Sequence, residues 1–272
     1  MPMNGVIVID KPPGLTSHDV VNRVRQILGQ RSVGHLGTLD PAATGVLPVV
    51  VGNLTRLAQF YLHSEKVYEG AIRFGFATDT YDADGEPITP PQDVDLNCDE
   101  IRAMAAQFRG KIEQMPPPFS AKKIAGVPAY KLARKKQEVL LQPVQVEVKE
   151  FEILSTSREH ATFRARVASG TYIRSIAHEM GQKLGCGAHL ASLRRVAVAE
   201  FEIEDAHALA SLEAAVQQGT VESLFVHSRK LVPELPCVTA TEESAALIRS
   251  GRAVNLPEMS RAPQVKVFYG QR

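Results

Sequence analysis

Cysteine is scarce in this sequence, and the three residues present, Cys98, Cys186 and Cys237, lie far apart with no metal-ligand spacing. An odd count without a pattern argues against a disulfide framework and predicts buried thiols in a reducing compartment. No apolar run reaches the ~18 residues of a membrane span. The opening "MPMNGVIVIDKPPG" has neither a basic n-region nor a long apolar h-region, so no signal peptide is expected. The expectation is a soluble cytoplasmic protein. Low-complexity tracts are absent too, and 44% hydrophobic residues supply a proper core. A length of 272 residues allows one large domain, or one large and one small.

Familiar chemical signatures are also missing. There is no phosphate loop with its lysine and no dinucleotide fingerprint. "GHLGTL" is glycine-rich but neither follows a strand nor opens a long helix. The eight histidines never pair at i, i+4 with a glutamate. "TDTYDADGE" imitates a calcium loop, but aligning Gly85 at the sixth position puts Thr80 first and Pro91 twelfth, where carboxylates are needed. No Gly-x-Ser-x-Gly elbow occurs. Asp40 has no acidic neighbour within ten residues to complete a glycosidase pair. It is either a turn former before Pro41 or a nucleophile working without a second acid.

What is present begins with charge. Net charge is only +1, but Thr78 to Glu100 holds eight acids and no base, while Ile101 to Leu140 holds nine bases and two acids. The second stretch fits a polyanion contact or a solvated helix face. "GVIVID" reads as a strand closed by the turn residues of "KPPG". "SHDVVNRVRQILG" reads as a helix with Ser17 capping its start and Gly29 its end. The run from Gly34 forms a loop into the strand "VLPVVVG", and "LTRLAQFYL" forms a short helix. "KVYEGAIRFGF" alternates as a strand before an Asp-Gly turn, and "DEIRAMAAQF" is helical. "PVQVEVKEFEIL" and "ATFRARVAS" alternate as adjacent antiparallel strands. In "GTYIRSIAHEMGQKLG" Thr171 is the expected N-cap, with Tyr172 and Arg174 in the first turn, and "HLASLRRVAVAEFEI" returns to strand. Interleaving without a βαβ rhythm predicts an α+β fold with a mixed, largely antiparallel central sheet and flanking helices and loops.

Five segments in register carry a resemblance: "KPPGLTS", "GHLGTLDPAATGVLPVVVGNLTRLAQF", "KVYEGAIRFGFATDTYDADGE", "PPPFSAKKIAGVPAYKLAR" and "GTYIRSIAHEMGQKLGCGAHLASLRR". Over roughly residues 4 to 232 the chain resembles the TruB-type tRNA pseudouridine-55 synthases. The resemblance implies the pseudouridine synthase fold over 1–232, with an RNA-gripping basic insertion at 119–136. It also implies isomerisation of a T-loop uridine in tRNA, without metal or other cofactor, membrane or partner protein, by a monomer taken as the default. A folding chaperone for tRNA with incidental catalysis, and the catalytic subunit of an RNA-guided particle, are the alternatives.

The resemblance also assigns residues. Asp40 is implied as the nucleophile, attacking C1′ or assisting loss of the base through a glycal. A second acid would be harmful, because activated water would hydrolyse the intermediate. Arg174 is implied to pair with Asp40 and hold it ionised. Tyr68 would stack on the everted ring and stand near its C5 proton, and Tyr172 would line the same pocket. His35 would fill the space left by the base or hold its loop, and Leu193 would form an apolar wall. Lys11 and Pro12 would shape the pocket floor, and Asp82 would support the arginine or make a turn. Lys123 would meet RNA, and Phe119 stands where relatives often have tyrosine. Relatives usually end in a PUA-type domain. Residues 233–272 resemble its beginning, so an incomplete PUA-like segment is expected there.

Overall fold

The computed structural model describes residues 3–94, 96–120, 122–124, 126–129, 132, 141–255 and 262–270, without the side chains of 123, 124, 127 and 128. Strands β1 (Gly5–Lys11), β2 (Val33–His35), β3 (Thr44–Val51), β4 (Lys66–Phe74) and β5 (Gly110–Gln114) come first. A small hairpin, β6 (Lys123–Ile124) and β7 (Val127–Pro128), precedes β8 (Val144–Thr156), β9 (His160–Val167), β10 (Ala188–Val198) and β11 (Phe201–Glu202). Strands β12 (Cys237–Thr239) and β13 (Lys266–Phe268) close the order. The helices are α1 (Ser17–Leu28), α2 (Cys98–Ala106), α3 (Ile173–Lys183), α4 (Leu209–Gln218) and α5 (Glu242–Arg249).

Among the described residues nine strands form one sheet in the order β1-β3-β10-β4-β9-β8-β5, with β2 on β3 and β11 on β10. Every pairing is antiparallel except β3 with β10, so the sheet is mixed and largely antiparallel as expected. The reason "VIVI" is apolar throughout lies in its two covered faces. Ile7 and Ile9 join the core beneath the helices, whereas Val6 and Val8 join a second cluster with Tyr61, Phe201 and Leu231. At the far end β8 alternates, burying Val146 and Val148 and, beyond a register shift, Phe151 and Ile153, with exposed or half-buried residues between.

The parallel contact is the one that builds the site. Thr44 and Gly45 of β3 lie against Arg194 and Arg195 of β10. Gly45 takes φ 99°, and a Cβ there would collide with the backbone of Arg195. The strands therefore meet only because position 45 has no side chain.

Four local expectations are corrected. Thr16, not Ser17, caps α1: its hydroxyl accepts from the Asp19 amide, and the Asp19 carboxylate accepts from the Thr16 amide. Tyr172, not Thr171, stands at the N-cap of α3 with no side-chain cap bond, and Gln114 Oε1 accepts the Tyr172 amide at 2.8 Å. "LTRLAQFYL" is helical as expected, within the 3-10 helix Gly52–Tyr61. Of the cysteines only Cys186 is buried; Cys98 is half-buried and Cys237 exposed, since their elements lie at the surface. The run from Gly34 begins as the short strand β2, with the loop after it. At the C-terminus β12 and β13 pair in parallel, and the Arg229 guanidinium lies 4.7 Å from the Phe268 ring centre. No helix among the described residues is long and apolar enough to cross a membrane.

Candidate active site

The loop 36–43 leaves β2 and enters β3, and its backbone is fixed from three sides. Ser17, at the start of α1, accepts the Leu39 amide at 2.8 Å and donates to the Leu39 carbonyl. Lys11, at the end of β1 and fully buried, donates to the carbonyls of Pro12 and Pro41, each at 2.9 Å. Arg195, also fully buried, donates to Gly37, Thr38 and Val46 carbonyls. Two buried cations thus spend their donors on main-chain oxygens. Burial pulls the Lys11 ammonium down to about 8, against the pull of nearby Asp40. The Asp40 carbonyl accepts from Ala43, a turn bond, while its side chain stays available. Asp40 thus makes the turn with its main chain and leaves its carboxylate free of it.

Arg174 meets that acid from the first turn of α3. Its Nη2 donates to Asp40 Oδ1 at 3.2 Å, and Nε lies 2.9 Å from Oδ2 as an ion pair with its N–H turned off the hydrogen-bond line. The guanidinium also reaches the Thr80 carbonyl at 2.9 Å, the Phe119 carbonyl at 3.1 Å and Asp82 Oδ2 at 3.3 Å. A cation that is only 5% exposed is thus saturated by two carboxylates and two carbonyls. Asp82 serves both roles considered for it. Its other oxygen closes the turn by accepting from Thr80 Oγ1 and the Asp84 amide.

The acid opens onto a cavity of about 290 Å³ that includes Asp40, Tyr68, Tyr172, Arg174 and Leu193 in its lining. Burial drives the Asp40 carboxyl above its usual range, with Arg174 pulling the other way and Asp82 adding to the rise. Its side chain is still 42% exposed, and that exposure faces the cavity. Filling the cavity therefore strengthens both influences by excluding the remaining water. Burial also raises the Tyr172 phenol. Gln114, fully buried, receives the Tyr172 amide and donates to its carbonyl at 3.0 Å, which sets the entry to α3.

The other expected residues divide. His35 sits in β2 next to the loop but does not line the cavity, and burial lowers its pKa. Lys11 lies under the loop and not at the cavity surface. The side chain of Lys123 lies outside the described residues, as does much of 119–136. Phe119 contributes its carbonyl to Arg174.

Sequence reasoning missed Ser17 as a loop holder, and it missed Gln114, Lys66, Arg195 and the Tyr81–His178 pair. That pair stacks with ring centres 3.7 Å apart, Tyr81 having φ 66°. His178 stands one turn after Arg174, and Tyr81 stands beside the Thr80 carbonyl that Arg174 binds. The only sequence signal was two adjacent arginines in a strand, which must point to opposite faces.

Comparison with known proteins points to one family. The family model described as TruB family pseudouridylate synthase (N terminal domain) matches residues 25–173, and the tRNA pseudouridylate synthase B C-terminal domain matches 174–232. A tRNA pseudouridine synthase B of Solibacter usitatus is 51% identical over 92% of this chain and 85% of its own. One of Aquifex aeolicus is 40% identical over 98% and 92%. Among solved structures, an H/ACA RNP bound to a substrate RNA containing 2′-deoxyuridine superposes with TM-score 0.72 and 27% identity, over 98% of this chain and 75% of that one. A Cbf5–Nop10–Gar1 complex gives TM-score 0.70 and 30% identity over 91% and 67%.

Proposed function

The chain belongs to the TruB family of pseudouridylate synthases, and from that premise we propose that it isomerises the T-loop uridine at position 55 of tRNA with Asp40 as nucleophile. The observation that carries the residue assignment is the Asp40–Arg174 pair at the wall of a cavity also lined by Tyr68 and Leu193.

Uridine and pseudouridine are isomers. The N1–C1′ bond breaks, the freed ring turns, C5 bonds to C1′, and the C5 proton is lost as N1 gains one. Asp40 attacks C1′ or assists loss of the base; either path needs it ionised, and Arg174 favours the ionised form. Arg174 has little freedom to wander, since its remaining donors are held by Thr80, Phe119 and Asp82. Tyr68 stacks on the everted ring, each such stack being worth ~1–3 kcal/mol against the few kcal/mol of unstacking. Leu193 offers the detached ring an apolar surface on which to rotate.

The protein works as a monomer in the cytoplasm and needs no partner protein. Identity of 40–51% to proteins named tRNA pseudouridine synthase B, against 27–30% to chains of an H/ACA RNP and a Cbf5–Nop10–Gar1 complex, favours that reading.

Tritium release from C5-labelled uridine in a tRNA transcript, with chelator present, tests the assignment. Wild type should release label and form pseudouridine. Asp40→Asn should lose at least ~10³-fold in rate while still binding RNA. Equal release from both would remove Asp40 from the chemistry, and binding-dependent refolding of tRNA without release would favour the chaperone reading.

A further inference from the structure

Besides Arg174, which pairs with Asp40, and Arg195, which is spent on loop carbonyls, the cavity is lined by a third cation, Lys66, that the mechanism above does not use. Lys66 is the first residue of β4 and lines the cavity on the same strand face as Tyr68, two residues on and ~6.6 Å along the strand. Its ammonium donates to the Ser64 carbonyl at 2.6 Å. Among the described residues no carboxylate lies within ion-pair distance of it, and its chain neighbour Glu65 is taken by Lys149. The nearest charge is a like one. A side chain at Gly37 would stand 3.9 Å from Lys66 Cε and 3.5 Å from Arg195 Nη1, so both cations converge on that glycine. Burial and the neighbouring Arg195 pull the Lys66 ammonium down to about 8.

A partly desolvated ammonium beside a buried guanidinium, with no acid facing it, is complete only when an anion arrives. Arg174 is matched by Asp40 and Asp82, and Arg195 by three carbonyls, whereas Lys66 has two donors to spare. The uracil ring is neutral in the ground state and cannot supply a lasting charge. The backbone of an RNA can. Lys66 is half-buried, where Tyr68 is buried, and it follows the exposed Leu62 and His63 of a segment tied to 168–170 by the bond from Ser169 Oγ to the Leu62 carbonyl. Tyr68 lies further in along the strand. A nucleotide inserted base-first would leave its phosphate at the rim.

We propose that Lys66 binds a phosphodiester flanking the everted uridine and so seats the nucleotide with its C1′ toward Asp40. This rests on the reading of the cavity as the uridine pocket.

A coupling experiment tests it. Stem-loop substrates carry a neutral methylphosphonate in place of the phosphate on the 5′ or the 3′ side of the target uridine. Lys66→Met should weaken binding roughly tenfold and lower the salt slope of affinity by about one. One of the two methylphosphonates should weaken wild type by a similar factor and leave Lys66→Met unaffected. Lys66→Arg should restore most of the affinity and the sensitivity to that methylphosphonate. Additive effects of lysine removal and phosphate neutralisation would overturn the proposal, as would an unchanged salt slope. Should Lys66→Met fail to fold, wild type and Lys66→Arg still decide: indifference of both to either methylphosphonate overturns it. Binding is measured in the Asp40→Asn background as well. Absent turnover in wild type with intact coupling would refute the proposed reaction and not the phosphate contact.

Discussion

Asp40 is pulled two ways, and the balance has a sign that can be measured. Burial raises its carboxyl above the usual range and Arg174 lowers it, with the rise prevailing. The acid limb of kcat/KM should then lie above the ~4 of an ordinary carboxylate, activity rising with pH through it. The same shift acts on stability. A carboxyl whose folded pKa exceeds its unfolded value stabilises the fold fully below the unfolded pKa, and that contribution disappears as pH rises through the folded one. Asp40→Asn should therefore melt higher than wild type near pH 7.5, by a margin that shrinks toward pH 4; a constant margin would contradict the raised pKa. Arg174 tests the other half of the pair. Lysine at 174 keeps the charge but loses the fork that serves Asp40, Thr80 and Phe119 together. Arg174→Lys should lower kcat on the order of 10²-fold with RNA affinity nearly intact, as single-turnover rates and filter binding would show.

At the scale of elements, the start of α1 separates stability from catalysis in two adjacent residues. Thr16 caps the helix through a reciprocal box with Asp19, and its side chain is at the surface. Ser17 faces inward and exchanges both hydrogen bonds with Leu39, one residue before Asp40. Thr16→Ala should cost about 1 kcal/mol of stability and leave kcat close to wild type. Ser17→Ala leaves a buried amide and carbonyl unmatched and should cost ~1–3 kcal/mol. It should also slow the chemical step more than tenfold, because a displaced loop misaims the acid. Thermal melts paired with single-turnover rates distinguish the two, and equal kinetic effects would show that the loop is held by other bonds. The 3-10 helix Gly52–Tyr61 shows a different limit of local reading. Its apolar spacing suits either helix type, and packing against the face that holds Val6 and Val8 decides between them.

At the scale of the molecule, one parallel contact joins the loop that carries Asp40 to the strand that carries Arg195 and Leu193. Gly45→Ala forces a methyl into the Arg195 backbone at a φ of 99° and should cost more than ~3 kcal/mol, with activity lost in proportion to the unfolded fraction. Denaturant unfolding measures the cost, and a loss below ~1 kcal/mol would mean that β3 and β10 can separate without harm.

Periodicity and turn chemistry were enough for β1, β3, β4, β8, β9 and β10, for helix α1 and for the α+β class, because these follow from which faces meet water. The family resemblance, carried by short motifs far apart in the chain, singled out Asp40, Arg174, Tyr68, Tyr172 and Leu193, and the fold gathers all five around one cavity. The caps of α1 and α3 were misjudged by one residue, since Ser17 and Thr171 have capping side chains that the interior claims or leaves unpaired. Lys11 was implied only as part of the pocket floor, and Gln114, Arg195 and Lys66 were given no role from the sequence. Their roles depend on which carbonyl or cation lies opposite across gaps of 30 to 158 residues, and no local rule of spacing encodes a partner that distant. The chain alone thus determined the elements and the chemical cast, through solvent exposure and motif. Only the closed sheet decided which charges are matched and which one waits for an anion, because pairing is a property of distance in space.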